Sequence, residues 1–472
     1  MYDITIIGAG ISGCFIAHDL SKYQLKILCI DRENDIANET TMANSAIIHT
    51  GYDPEDNTLK AELNVKGARM YESICKDLDL SYKKCGSLLV ACSNEEEEIL
   101  KTLQARANKR DVRNNYLDKD ALHKMEANLS DNVLSGIEFP DTAIIYPWEY
   151  AIALMEEAML NGIELKLNEE VEAIEYLDNH FEISTQKGKY ASRFVINAAG
   201  CGAEKVASLL EESPYHINLR RGEYYVLSKN AKDYVNHIIF PTPSKLGKGV
   251  LVVPTVHDNI LLGPNSEIID DFDLSVTKNG LDYINSQLSK TMKNVPYREI
   301  IRSYSGLRAS GNNGDFYIKS STNYPNFIHV ACIDSPGLAS SPAISKYVID
   351  NFIKDKIELA EKDEYIKRVA PLVMAKLNNE EKSAAIKANP SYAQMVCKCE
   401  NISYGEIVDA IHSISGAKTI KAVKKRVRPG MGKCQGGFCE VEVAKIIAKE
   451  CNMALEDVLY DNQNSKLGTE AK

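Results

Sequence analysis

Tyr2-Asp-Ile-Thr-Ile-Ile7, Gly8-Ala-Gly10-Ile-Ser-Gly13 and Leu25-Lys-Ile-Leu-Cys-Ile30 follow one another at the start of the chain, with Asp31-Arg32 directly after. They read as an apolar strand, a tight turn, a helix over 14–22 and a second apolar strand ending in an acid. Gly8 permits the turn, Gly10 lets the backbone approach a pyrophosphate, and Gly13 lets the helix pack closely on the strand. The helix N-terminus supplies free N–H groups and a partial positive charge for phosphates. Asp31, 18 residues after Gly13, is placed to accept hydrogen bonds from ribose hydroxyls. The pattern predicts a dinucleotide site and leaves NAD and FAD open. It argues against NADP, whose 2′-phosphate a carboxylate would repel.

Two further glycine turns extend this site. Tyr190-Ala-Ser-Arg-Phe-Val-Ile-Asn-Ala-Ala-Gly200 is a strand ending in small residues, with Ala199 and Gly200 able to lie against a cofactor. Asp334-Ser-Pro-Gly337-Leu-Ala-Ser340 opens a helix that runs through 345–352, whose N-terminus can stabilise negative charge on a reduced ring. Turns near 10, 200 and 337 fit one long cofactor held by a discontinuous domain.

At 472 residues the chain has room for about three domains. Its 44% apolar and 26% charged residues are ordinary for a globular protein. A net charge of −11 argues against nucleic acid as a partner, which calls for a basic face. No stretch approaches the roughly 18 apolar residues of a membrane span, and 3–7 already reads as strand rather than as a secretory signal. A cytoplasmic protein is expected.

Four of the twelve cysteines stand apart. Cys397 and Cys399 form a C-x-C pair, and Cys434 and Cys439 flank Gln-Gly-Gly-Phe in the run Pro429-Gly-Met-Gly-Lys-Cys-Gln-Gly-Gly-Phe-Cys439. Four thiolates among glycines suit a metal centre, since the glycines expose N–H groups to ligand sulfur. Zinc remains open, although its cysteines usually come as C-x₂₋₄-C. The other eight read as reduced packing residues. Ser403 with Glu406 forms a capping box for a helix over 404–413, Thr419 caps another through Val427, and Cys439 leads a third to Glu450. From 410 to 439 there is no acid but seven basic residues: Lys418, Lys421, Lys424, Lys425, Arg426, Arg428 and Lys433. Such a patch would raise the potential of a negative centre and is expected to dock an acidic electron acceptor.

Several segments carry a resemblance. Asn44-Ser-Ala-Ile-Ile-His49-Thr-Gly51-Tyr, Arg221-Gly-Glu-Tyr-Tyr225, Leu262-Gly-Pro-Asn265 and Ser305-Gly-Leu-Arg308 resemble the flavoprotein family of D-amino-acid oxidase, glycerol-3-phosphate dehydrogenase and L-2-hydroxyglutarate dehydrogenase, the last most. Residues 396–443 resemble the [2Fe–2S] domain of bacterioferritin-associated ferredoxin, which also ends the large subunit of anaerobic glycerol-3-phosphate dehydrogenase. The resemblance implies FAD rather than NAD, and a [2Fe–2S] cluster on Cys397, Cys399, Cys434 and Cys439. It implies an α/β fold with a Rossmann-like FAD-binding domain, an inserted α+β substrate domain built on a mixed sheet, and a small helical [2Fe–2S] domain. The oxidoreductase domain is expected over 1–355, with FAD parts at 1–85, 141–215 and 301–355 and substrate parts at 86–140 and 216–300. A helical connector is expected over 356–394, the cluster domain over 395–460 and a flexible tail over 461–472.

Cofactor contacts are expected from Gly8, Gly10, Ser12, Gly13, Asp31, Arg32, Asn44, Ser45, Val171, Ala199, Gly200, Gly337 and Leu338. His49 is the expected base for a hydroxyl proton, with His329 as the other contender. Arg308 is expected to grip an acidic group through its fork, and one of Tyr224 and Tyr225 to face the pocket. The expected activity is hydride transfer from a small anionic hydroxy compound, glycerol 3-phosphate or a 2-hydroxy acid, to FAD. Electrons would leave through the cluster to a protein acceptor or a partner flavoprotein subunit. An amino-acid or amine oxidase or dehydrogenase of the same fold, and a flavin/cluster redox sensor or iron-trafficking protein, are the alternative readings.

Overall fold

The computed structural model describes residues 1–243 and 249–466. Strand Tyr2–Ile7 leads into helix Ile11–Leu20, and strand Ile27–Ile30 returns beside it. All four residues of Ile27–Ile30 are buried, as a parallel strand covered on both faces requires. Tyr2–Ile7 pairs in parallel with Ile27–Ile30 on one side and with Gly188–Asn197 on the other. Gly188–Asn197 pairs in parallel with Phe327–Ala331. Strands from three distant parts of the chain thus share one eight-stranded sheet. Parallel strands end at the same edge, so the three glycine turns that follow them come together there. Helices Ile11–Leu20, Pro147–Leu160 and Gly337–Val348 pack on this sheet around a core that includes Phe15, Tyr71, Tyr150 and Ile344.

The second sheet has nine strands. Its longest pairing joins Ile217–Leu227 to Ile300–Gly311 in antiparallel register, with Arg220 opposite Arg308, Gly222 opposite Gly306 and Tyr224 opposite Tyr304. Ser87–Ala91 joins in parallel with Ile238–Pro241 and antiparallel with Ser135–Phe139, which makes the sheet mixed.

Three expected boundaries shift. Strand Ile300–Gly311 belongs to the second sheet, so the chain returns to the first sheet after Gly311, not at 301. The 356–394 segment is helical over Asn379–Ala388, nucleated by a capping box of Asn378 and Glu381, with a short 3₁₀ turn at Pro390–Ala393. Most of 359–378 instead runs as an irregular strap on the first domain. Lys362 N–H bonds Lys22 O, and Arg368 N–H bonds a carboxylate oxygen of Glu157. Val369, Pro371 and Val373 disfavour helix there. The expected tail is anchored in its first half: Asp461 accepts hydrogen bonds from Asn38 and Lys421. Residues 467–472 lie outside the described residues, as do 244–248.

The C-terminal module has its own core of Ile407, Ile411, Val423, Val443 and Ile447. Its helices are Tyr404–His412, Ile420–Val427 and Glu440–Glu450. The capping box of Ser403 and Glu406 and the Thr419 cap form as the sequence predicts. Among the described residues no helix is long and apolar enough to cross a membrane.

Candidate functional site

A cavity of about 600 Å³ runs from the Gly8–Gly10 turn to the Gly337 helix start and opens over the second sheet. Of the thirteen expected cofactor-contact residues, all but Gly13 line it, and so do His49, Tyr224 and Arg308. Gly13 sits behind the turn. A Cβ there would meet Gly8 O at 2.0 Å, so the residue serves close packing of helix on turn. Its neighbour Gly8 has φ +113°, open to glycine and strained for other residues.

The pyrophosphate end is braced by polar contacts. The Asp31 carboxylate accepts the Ala9 N–H at 2.6 Å and the Glu33 N–H at 2.8 Å. It therefore holds the glycine turn as well as facing the cavity. Burial pushes its carboxyl above the ordinary value. Arg32 is ion-paired to Glu39. The N-cap residue Gly10 has no side chain to cap the Ile11–Leu20 helix, and Thr41 Oγ1 accepts the Ile11 N–H in its place.

Toward the other end, the Asn44-Ser45 loop is pinned from both sides. Asn44 Nδ2 donates to Thr40 O and Thr41 O, and its Oδ1 accepts the Ala46 N–H. Tyr304 OH donates to Asn44 O at 2.9 Å. Tyr224 OH and Ser45 Oγ lie 3.0 Å apart. The rings of Tyr224 and Tyr304 stack at 4.7 Å with 7° between planes. Next along the same face, Gly222 and Gly306 let Arg308 and Ala43 lie against the backbone, and beyond them stand Arg220 and Arg308, both lining the cavity. Arg308 folds over Gly222, where a Cβ would come within 2.6 Å of Nη2. Its Nη2 donates to Asn265 O over a long 3.5 Å. Two arginines at facing register positions that both line the cavity suit a multiply charged anion.

Alternation along Ile217–Leu227 resolves the tyrosine choice: Tyr224 faces the cavity. Tyr225 packs on the opposite face, within 3.4 Å of Asn285 Nδ2. Arg221 also points away, into ion pairs with Glu267 and Asp273. Arg220 and Tyr304 were the residues sequence reasoning passed over. Once the structure places Tyr224 on the cavity face, period-two spacing carries that face to Arg220, and from Arg308 to Tyr304.

His49 follows strand Ile47–Ile48, and its carbonyl is held by Asn64 Nδ2 at 2.7 Å. Its ring lies 5.5 Å from Phe240. His329 does not line the cavity. It is fully buried between Glu211, 3.2 Å away, and Tyr215 OH, so it braces the sheet.

In the C-terminal module the four cysteines stand as two pairs. Cys399 and Cys434 have sulfurs 3.6 Å apart, close to the edge of a tetrahedron with metal–sulfur bonds of about 2.3 Å. Cys397 is drawn down to about 6 by a hydrogen bond from Cys439, helped by N–H groups of Gly430, Glu400 and Cys399. The same hydrogen bond pushes Cys439 up, and the contact with Cys434 pushes Cys399 up. Among the described residues no three His, Cys, Asp or Glu side chains group around a single ion. Two thiol pairs fit two irons.

The basic run does not form a free docking patch, contrary to expectation. Lys424 and Lys425 are buried. Lys425 Nζ lies 2.7 Å and Arg426 Nη2 2.9 Å from the buried Asp35 carboxylate of the first domain. Arg428 pairs with Glu400, and Lys421 with Asp461. The acidic partner of these cations is this chain itself.

Residues 3–351 match the FAD dependent oxidoreductase family, and residues 395–449 match the BFD-like [2Fe-2S] binding domain. A glycerol 3-phosphate dehydrogenase of Caloramator mitchellensis is 42% identical over 99% of this chain and 98% of its own length. An L-2-hydroxyglutarate dehydrogenase of Escherichia coli K12 is 30% identical over 56% of this chain and 64% of its own. The solved structure of dithionite-reduced L-α-glycerophosphate oxidase from Mycoplasma pneumoniae, with FAD bound, is 26% identical. It superposes with a TM-score of 0.75 over 79% of this chain and 99% of that one.

Proposed function

This chain belongs to the FAD-dependent oxidoreductase family, and on that premise we propose that it is a dehydrogenase oxidising glycerol 3-phosphate. It is an enzyme that binds FAD and a [2Fe–2S] cluster. The observation that carries the substrate is the likeness to a glycerol 3-phosphate dehydrogenase along the whole chain, cluster module included. The Arg220–Arg308 pair supports it, because two guanidiniums suit a phosphate dianion better than a single carboxylate.

Bound FAD would supply a hydride acceptor, and the [2Fe–2S] cluster would supply one-electron transfer. The protein's residues do the rest. The turn at Gly8, Gly10 and Ser12 holds the phosphates at the helix N-terminus, with Asp31 and Arg32 at the ribose. Asn44, Ser45, Val171, Ala199, Gly200, Gly337 and Leu338 line the remainder of the cofactor's length. Arg308 and Arg220 hold the substrate phosphate and so fix its C–H bond relative to the ring. His49 accepts the hydroxyl proton as the hydride leaves the same carbon, giving the ketone. Tyr224, locked by Ser45 and Tyr304, shapes the wall beside the reacting carbon.

Anaerobic flavin bleaching tests this reading. Glycerol 3-phosphate is expected to bleach the flavin, and His49→Gln to slow that step about 10²–10⁴-fold. Faster bleaching by L-2-hydroxyglutarate or by an amino acid would replace the substrate. No bleaching by any of them would favour a sensor.

A further inference from the structure

Tyr146 occupies the ground between the cavity and the cysteine loop. It follows strand Ala143–Ile145, which pairs with Ile47–Ile48, and the Ile145 N–H bonds Ala46 O at 3.1 Å. Ala46 and Ile47 line the cavity directly after the pinned Asn44-Ser45 loop. On its other side the Tyr146 hydroxyl donates to Met431 Sδ at 2.8 Å and accepts from Arg428 Nη1. The Arg428 guanidinium also lies 5.1 Å over the ring.

Met431 stands between two glycines that touch ligand cysteines. The Gly430 N–H bonds Cys397, and a Cβ on Gly432 would be 2.4 Å from Cys399 Cβ. The ring of Tyr146 is packed at 4.0 Å against Trp148 and at 4.6 Å against His257. Trp148 Nε1 in turn donates to Lys425 O of the module. Burial and the cations Arg428, Lys229 and Lys376 draw His257 down to about 2, so it stays neutral against the ring.

We propose that Tyr146 is a positioning residue for electron exit, bridging the flavin cavity to the [2Fe–2S] loop through Ala46–Ile145 on one side and Met431 on the other. Electronic coupling decays more slowly along bonds, hydrogen bonds and packed rings than across gaps, and this is a continuous series of such contacts. Each substrate hydride carries two electrons, so the bridge is crossed twice per turnover. A one-electron acceptor protein must take up each electron that leaves the module. The inference rests on the proposed electron route.

The test follows the cluster's absorbance and EPR signal after the flavin of anaerobic holoenzyme is reduced, once by substrate and once by light with a sacrificial donor. Tyr146→Phe, which keeps the ring and loses the hydroxyl contacts, is expected to slow cluster reduction. Tyr146→Leu is expected to slow it further, about tenfold or more. Flavin bleaching and iron content should match the native protein. Trp148 is the single tryptophan of the chain, so unchanged emission in Tyr146→Phe, which keeps the ring beside it, reports that the module remains seated.

Native-rate transfer in Tyr146→Phe and Tyr146→Leu alike would overturn the role of Tyr146. Slowing in Tyr146→Phe accompanied by altered Trp148 emission would also overturn it, by assigning the effect to undocking. A native cluster that stays oxidised beside reduced flavin would overturn the route itself, and the bridge with it. If the Leu variant loses its cluster, the Phe variant carries the test.

Discussion

Gly306 shows how one missing side chain shapes the candidate active site. A Cβ at this position would meet Ala43 O at 2.0 Å, so the Asn44-Ser45 loop closes on the second sheet because nothing projects there. Gly306→Ala would push the loop away and break the hydrogen bond from Tyr304 to Asn44 O. The expected cost is about 1–3 kcal/mol, as for other overpacked contacts. It should appear as a lowered Tm together with a raised KM for substrate. An unchanged Tm and KM would mean that the loop is not held by this contact. At the same scale Arg220 is instructive, because its neighbour Arg221 is the one that stands in the recognisable Arg221-Gly-Glu motif. The two point to opposite faces, and only register with Arg308 selects the cavity-facing one.

Among the elements, helix Ile420–Val427 does work that its composition conceals. A short helix rich in Lys and Arg reads as a solvated face, yet it inserts Lys425 and Arg426 against Asp35. Burial opposes the charge on Asp35, but Arg426 and Lys425 outweigh it and hold the carboxyl well below its ordinary 3.8. Burial likewise draws Lys425 down to about 8. The guanidinium of Arg426 has no accessible neutral form, so the carboxylate stays charged.

A folded-state value below the unfolded one means that Asp35 contributes stability fully above about pH 4. That contribution is lost only as pH falls through the depressed value. Asp35→Asn leaves two buried cations without their anion and is expected to weaken module docking by about 3–5 kcal/mol. Faster proteolysis of the 359–378 strap, with flavin content unchanged, would report it. Equal cleavage rates in both proteins would refute the clamp.

Across the whole molecule, two redox modules are seated on one another by contacts spread along the chain. Trp148, Tyr146 and Asp35 come from the first domain, and Lys425, Arg428 and Met431 from the last. Cys434→Ser should remove the cluster's absorbance and EPR signal while glycerol 3-phosphate still bleaches the flavin at the native rate. Loss of flavin bleaching in this variant would mean that the module is needed for the chemical step and not only for electron exit.

The sequence by itself determined the local features: the glycine turn with its acid, the helix caps at Ser403 and Thr419, and the four cysteines. Each depends on residues close together in the chain, where propensity and spacing carry the information. Only the tertiary structure decided which arginine faces the cavity, that His329 is a core residue, that most of 359–378 is a strap rather than a helix, and that Lys424 and Lys425 of the basic run are buried. Those outcomes depend on strand register and on charge partners hundreds of residues away. A lysine looks the same in sequence whether water or Asp35 neutralises it.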